Sequence, residues 1–459
     1  KAAGRKCQSK KAGMRRGEKN LRASRQACQV FSALSTAPPE NGDHALDKPD
    51  LLIIGLDRLG LDLAMAASAL GASVVLAMQG ETALEFAQRD GEYLVRLASM
   101  PFSNEAEGHL QREQLSRWIT TTRSSERLRA ARVRVEPGQA RFLDTRRIAL
   151  GERILTPRRI VIATGRAPDQ ASGFPTEPFG NDMPKRVVIS GRSPISIALA
   201  SVAMRAGTRT SLVPAAGLSD LFDPEMSALG LETLERQGLA RLSEIPTLRP
   251  AEVPVWQEPK WQPALDGLGL EMAGIKHLEN RLVLNARLET SLGRVSAIGT
   301  VTGQSDASMV GYLLARLMFR KPGNYASPLA MRVIPGMPEL AEIGLTEQEA
   351  RKRWGRVAIH RANASELGPV SGPLAAVKLI CHPKGRLVGA SCLAPDAVEL
   401  ASIISLAIGN ALGLEAVARL SLPQGAGAET LRLAASAPQR ARLRSPRLQA
   451  ALRFMRKFG

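Results

Sequence analysis

The apolar run Leu51-Leu52-Ile53-Ile54 stops at Gly55, as a short buried parallel strand does. Gly60 and a helix-like stretch, Leu61–Leu70, follow; Gly71 ends the helix and Ser73–Met78 reads as the next strand. The layout returns further on. Arg186–Ile189 is a strand, Gly191 opens a turn, Ile195–Arg205 is helical, Gly207 ends it, and Thr208–Val213 is a strand. Two strand–turn–helix–strand units about 135 residues apart predict two dinucleotide-type domains. Between them Arg159–Ala163, closed by Thr164-Gly165, is another buried strand.

After residue 330 the pattern changes. Ala375–Ile380 and Leu387–Leu393 flank the turn residues Pro383-Lys384-Gly385-Arg386 and predict a hairpin. Helical stretches follow over Pro395–Leu414 and Ala428–Ser436. Leu400–Leu414 is uncharged but has only 15 residues and contains Ser402, Ser405 and Asn410, which fits a core or interface helix better than a membrane span. Residues 32–50 are loop-like, with Pro38-Pro39 and Asn41-Gly42 as breakers.

Charge changes the picture less than its size suggests. The net charge is +19, but residues 1–30 hold ten basic side chains against Glu18, and residues 430–459 hold eight and no acid. Those segments contribute +9 and +8, which leaves +2 for the body between them. No basic groove is expected on the fold, and no specific nucleic-acid recognition. Cys7, Cys28, Cys381 and Cys392 are too few for a disulfide scaffold, and neither they nor the five scattered histidines have metal-site spacing. Cys381 and Cys392 read as core residues of adjacent strands. A reducing compartment, cytoplasm or organellar matrix, is expected. The basic, acid-poor N-terminal stretch has the composition of an organellar targeting segment or of a solvated arm.

Five segments then line up in order. They are Arg159-Ile160-Val161-Ile162-Ala163-Thr164-Gly165-Arg166-Ala167-Pro168; Gly-Leu-Gly-Leu-Glu-Met-Ala-Gly-Ile at 267–275; Thr290-Ser291 before Ala297-Ile298-Gly299; the run 342–350; and the hairpin Lys378–Ala394. In these the chain, over about residues 50–436, resembles the flavoprotein disulfide reductases, the group of dihydrolipoamide dehydrogenase, glutathione reductase and mercuric reductase. The resemblance implies an α/β protein: a flavin-binding Rossmann-like domain split by a nicotinamide-binding one, then an α+β dimerisation domain. The expected limits are 1–48 for a basic extension, 49–168 with 288–322 for the FAD-like domain, and 169–287 for the NAD(P)-like domain. Dimerisation is expected over 323–436, and a basic amphipathic tail over 437–459. The residues implied at the cofactors are Gly55, Gly60, Ala163, Thr164, Gly165, Gly191 and Gly299.

The chemistry-bearing positions depart from the family pattern. The flavin fingerprint Gly-x-Gly-x-x-Gly reads Gly55-Leu56-Asp57-Arg58-Leu59-Gly60. Asp57 brings a negative charge to the phosphate position, a repulsion of about 4 kcal/mol at 4 Å and an effective dielectric of 20, which Arg58 is expected to offset in part. The acid that holds the adenosine ribose is Met78, and the later Gly-Asp is Gly299-Thr300. The second fingerprint reads Gly191-Arg192-Ser193-Pro194-Ile195-Ser196, with Ala198 for the helix glutamate and Pro214 at the ribose position. The redox dithiol should fall within Glu81–Gly91, and no cysteine lies between Cys28 and Cys381. The His-Pro…Glu acid–base stretch reads Leu422-Pro423…Glu429, and leucine carries no proton.

FAD is therefore expected to be weakly held or lost, NAD(P)H binding is in doubt, and neither a catalytic residue nor a metal ligand is assigned. One expectation is a homodimeric pseudoenzyme with a structural or regulatory role. The alternative is an FAD/NAD(P)H-dependent oxidoreductase working without the dithiol. Compatible with either is a surface role for residues 447–459, where Leu448, Leu452, Met455 and Phe458 share a helical face beside Arg453, Arg456 and Lys457. Such a helix suits an acidic partner or peripheral association with an anionic membrane.

Overall fold

The structure, a computed structural model, describes residues 48–168, 183–213, 222–246, 253–278, 281–326, 329, 331–336, 338–364, 375–421, 426–443 and 445–456. The N-terminal extension, Cys7, Cys28, Pro214, Leu422, Pro423 and Phe458 lie outside these residues.

The first unit is β1 (Leu51–Ile54), α1 (Arg58–Ala69) and β2 (Val74–Ala77). Every residue of both strands is buried, which explains their unbroken apolar runs. With β3 (Arg134–Glu136), β4 (Arg159–Ile162) and β9 (Val295–Ala297) they form a parallel sheet of order β9-β4-β1-β2-β3. Between β2 and β3 lie α2 (Ala83–Arg89), α3 (Glu92–Ser99) and α4 (Glu105–Thr122).

A second parallel sheet is completed before β9 returns to the first, so one Rossmann-like layer is inserted in the other. Its strands are β5 (Arg186–Ser190), β6 (Arg209–Val213), β7 (Ala240–Arg241) and β8 (Val255–Gln257), in the order β7-β6-β5-β8. Helices α5 (Pro194–Arg205) and α6 (Pro224–Arg236) belong to this part. Helix α7 (Ser308–Phe319) packs on α1 in the first.

The last part is an antiparallel sheet: β10 (Met331–Ile334), β11 (Glu339–Gly344), β12 (Ala358–Asn363), β13 (Ala376–Cys381) and β14 (Leu387–Ala394), ordered β10-β11-β14-β13-β12. The hairpin is closed by His382 N donating to Arg386 O at 2.9 Å. Cys381 and Cys392 are buried on its two strands as free thiols, and burial pushes both up to about 12. Helix α8 (Glu347–Trp354) follows β11.

The helix expected over 395–414 is two helices, α9 (Ala397–Gly409) and α10 (Leu414–Ala418). Asn410 caps the first, Ala411 takes a positive φ of 54°, and Gly413 caps the second, so the break is a local turn that apolar content hides. Helix α11 runs from Ala426 to Leu443, past the expected stop at Ser436, and carries Pro438 inside it. Helix α12 (Pro446–Met455) starts at the Ser445 cap.

Lys378 on β13 is 3% exposed and ties the two latter parts together. Its Nζ donates to Asp223 Oδ2 at 2.8 Å, Glu225 Oε2 at 2.7 Å and lies 2.8 Å from Glu347 Oε2. Asp223 caps α6, and Arg361 reaches Glu225 at 2.7 Å. Burial of Lys378 opposes its charge, but three carboxylates outweigh it and hold the ammonium above its ordinary value. This hub has no local sequence motif, because Lys378 lies more than a hundred residues from Asp223 and Glu225.

Candidate functional site

At the first turn the retained glycines answer to packing. Gly55 leaves β1 at φ 105°, and a Cβ there would sit 2.3 Å from Ala163 O. At Gly60 a Cβ would lie 2.6 Å from Ala163 Cβ. The tight turn and the close approach of α1 to β4 require both, whatever the turn binds. The middle position serves a ligand rather than the fold, and it is the one that has changed.

Asp57 caps α1. Its carboxylate accepts from Leu59 N at 2.9 Å and, across the turn, from Thr300 N at 3.1 Å. Gly299 has φ 81°, and a Cβ on it would fall 2.2 Å from Asp57 Cγ. The side chain therefore fills the cradle between the helix N-terminus and Gly299-Thr300. Burial pushes the Asp57 carboxyl up, against the pull of those two amides. Arg58, expected to offset part of that charge, pairs with Asp62 at 3.4 Å.

Thr300 joins this acid to a second one that no sequence motif marks. Its Oγ1 is 2.7 Å from Asp90 Oδ1 and 3.3 Å from Asp57 Oδ2. One hydroxyl proton cannot serve both carboxylates, so the group is best satisfied when one acid is protonated. Burial raises both acids, Asp90 to about 6 although Arg166 pulls it down, and Arg166 N donates to Asp90 at 2.8 Å.

Asp90 and Phe86 cover the Thr164-Gly165 segment. Gly165 has φ 68°, and a Cβ would meet Phe86 Cζ at 2.6 Å and Asp90 Oδ1 at 2.7 Å. Arg89 donates to Thr164 O at 3.1 Å and pairs with Glu81 at 2.8 Å. The stretch Glu81–Gly91 is thus helix α2 held against β4 and its exit. Thr82 and Glu85 form a reciprocal cap at its start. Beside it lies a cleft of about 510 Å³ lined by Gln79, Arg89, Gln139, Thr164 and Gln262 among others. Thr164 Oγ1 is buried and has no hydrogen-bond partner.

The second turn repeats the device with an acid from elsewhere in the chain. Glu258 Oε2 accepts from Arg192 N at 2.8 Å, Ser193 N at 3.1 Å and Ser196 Oγ at 3.1 Å. A Cβ on Gly191 would fall 2.3 Å from that oxygen. Ser193 caps α5, and Ala198 is fully buried on that helix as core. Glu258 lies outside both fingerprints, so only the pairing of β8 with β5 reveals it.

Residues 331–435 match the family model described as the pyridine nucleotide-disulphide oxidoreductase dimerisation domain. The chain is 26% identical over 321 residues to a dihydrolipoyl dehydrogenase of Bacillus subtilis, which covers 58% of this chain and 68% of that one. It is 26% identical over 344 residues to a mercuric reductase of Staphylococcus aureus, covering 65% of this chain but 62% of the relative. The HOCl-induced flavoprotein disulfide reductase RclA from Escherichia coli has the same fold, at a TM-score of 0.73 and 18% identity over 84% of this chain and 99% of that one. In sequence and in fold the chain is thus similar to the flavoprotein disulfide reductases, and residues 331–435 match their dimerisation domain.

Within that family frame the implied cofactor residues fall into two groups. Gly55, Gly60, Ala163, Thr164, Gly165 and Gly299 converge on the ends of β1, β4 and β9, around Asp57 and Asp90. Gly191 stands apart at the second turn, under Glu258. The family's dithiol helix carries Phe86 and Arg89 here, with no sulfur. Glu429 lies in the first turn of α11 and pairs with Arg432 at 3.3 Å, as an ordinary helix-start acid does. Its expected partner position, Leu422, is outside the described residues. Among the described residues no group of acids, histidines or cysteines could hold a metal, and no helix is long and apolar enough to cross a membrane.

Proposed function

We propose that this chain is a pseudoenzyme of the flavoprotein disulfide reductase family, with a structural or regulatory role and no disulfide chemistry. The carrying observation is Asp57. Its carboxylate takes the amides of Leu59 and Thr300 and fills the space over Gly299. A helix N-terminus facing Gly-rich backbone offers these donors to a pyrophosphate; here they are spent on the chain's own anion. Phe86 and Asp90 over Gly165 close the adjoining segment. The residues present do not fit a flavin dinucleotide in this conformation. The absence of cysteine from Glu81–Gly91 removes the electron relay independently.

The test is the visible absorbance of the purified protein, alone and after incubation with FAD, beside Asp57→Gly combined with Met78→Glu and Thr300→Asp. The natural chain is expected colourless and the triple variant to gain flavin. One flavin per natural chain would overturn the reading. A two-fold homodimer, and contact of the basic tail with an acidic partner or anionic membrane, belong to the same proposal. The exposed Leu452, Phe454 and Met455 on α12 support the latter.

A second reading, an FAD/NAD(P)H oxidoreductase without the dithiol, rests on the cleft beside Thr164 and on its unpartnered hydroxyl. Stoichiometric flavin in the natural chain would favour it.

A further inference from the structure

The second turn shares none of its residues with the first, and its features converge on Glu258. The Glu258 backbone N donates to Ser190 O at 2.7 Å, directly after the β8–β5 pair Gln257↔Ser190, so the strand ladder fixes where the side chain starts. A single oxygen, Oε2, gathers two successive backbone amides and one hydroxyl at the N-terminal end of a twelve-residue helix. That set of donors is what a phosphate oxygen receives at such a turn. Finally, Gly191 leaves no room for anything else: a Cβ there would collide with Glu258 Oε2, Glu258 Cβ and Ser196 Oγ, all within 2.5 Å.

We propose that Glu258 is a built-in anion that occupies the phosphate position of the inserted domain, masking a site whose donors suit a pyrophosphate-bearing ligand. The loss of glycine at Ser193 and Ser196 is part of the same arrangement. Ser196 Oγ donates to the plug, and Ser193 Oγ accepts from Ser196 N at 3.4 Å, so both serines serve the closed turn. The carboxylate is covalently held, so it competes with a free phosphate without the translational cost that the free ion bears. A nicotinamide dinucleotide must displace it before its phosphates can reach the amides. The proposal deepens the pseudoenzyme reading but stands on its own residues, and flavin content plays no part in its test.

The full-length chain is compared with Glu258→Ala and with Glu258→Gln, which has nearly the same size. Each is heated with inorganic pyrophosphate, with NADH, and with sodium chloride of matched ionic strength. The natural chain is expected to give no shift with pyrophosphate beyond that of the salt control. Both variants are expected to melt lower, and to recover with pyrophosphate but not with chloride. Titration is expected to give Glu258→Ala at least about tenfold tighter pyrophosphate binding than the natural chain, the ratio that 1.4 kcal/mol represents. If Glu258→Ala does not fold alone, pyrophosphate in the refolding buffer should restore it. The proposal is overturned if the natural chain binds pyrophosphate or NADH as tightly as the variants, or if neither variant responds to the anion.

Discussion

Asp57 and Thr300, 243 positions apart, are joined by a hydrogen bond from the Thr300 amide to Asp57 Oδ2 at 3.1 Å. The bond ties the start of α1 to the end of β9, the strand that returns after the inserted sheet. Asp57→Ala leaves that amide and Leu59 N without an acceptor. The expected loss of stability is about 1–3 kcal/mol, the range for a removed N-cap and a stranded buried donor. Asp57→Asn keeps an oxygen and should lose less. Urea unfolding of both variants checks the order, and equal losses would contradict it.

Much of this arrangement is legible in the amino-acid sequence. The runs Leu51–Ile54, Arg159–Ile162 and Arg186–Ile189 are almost wholly buried, so hydrophobicity alone marks them. Asp57 is visible because a fingerprint fixes its place in the turn. Asp90, Glu258 and Lys378 are not, because each matters through a partner that the fold brings from far along the chain. Asp90 meets Thr300 across 210 positions and Lys378 meets Asp223 across 155. The break at Asn410–Gly413 is hidden for a different reason. Ala411 and Leu412 continue the apolar pattern, and the helix stops at the Asn410 cap and the positive φ of Ala411.

Asp90 should make stability depend on pH. Its folded value is raised from 3.8 to about 6, mainly by burial. The folded chain therefore holds a proton that the unfolded chain releases between those values. The stability this confers is complete below about pH 4 and is lost as pH rises through about 6. Asp90→Asn keeps the oxygen that Arg166 N and Thr300 Oγ1 use, but cannot ionise. Its stability relative to the natural chain should rise by up to about 3 kcal/mol between pH 4 and pH 7, since each tenfold change in proton affinity is worth about 1.4 kcal/mol. Parallel urea titrations at the two pH values check this; a difference that does not change with pH would refute it.

Lys378 should be costly to replace. Lys378→Met takes the contacting ammonium from Asp223, 1% exposed, and leaves Arg361, already paired with Glu225 and Glu347, as the remaining cation of the cluster. Removing one partner of a buried ion cluster costs about 3–5 kcal/mol. Adding Asp223→Asn should cost less than its single effect, because the charge it removes has already lost its contacting ammonium. A double-mutant cycle by denaturant unfolding measures this, and strict additivity would show that the cluster is not coupled.

The antiparallel domain should still pair two chains. Leu400, Ala401, Ile404 and Ala407 of α9 are buried against β11 and β14, which accounts for one face. Leu406 on the same helix is 69% exposed and Leu412 beyond it 42%. The helix is therefore not wholly enclosed by its own chain, and Leu406 stands open beside Ser402 and Gly409. A two-fold contact covers the same patch on both copies at once, and the segment lies inside residues 331–435, the match to the dimerisation-domain model. Leu406→Glu places a charge on that face without entering the buried one. Light scattering is expected to find a dimer at micromolar concentration for the natural chain and a monomer of unchanged thermal stability per chain, or one slightly lower, for Leu406→Glu. A natural chain that scatters as a monomer would refute the pairing. A variant that remains a dimer would move the interface off α9.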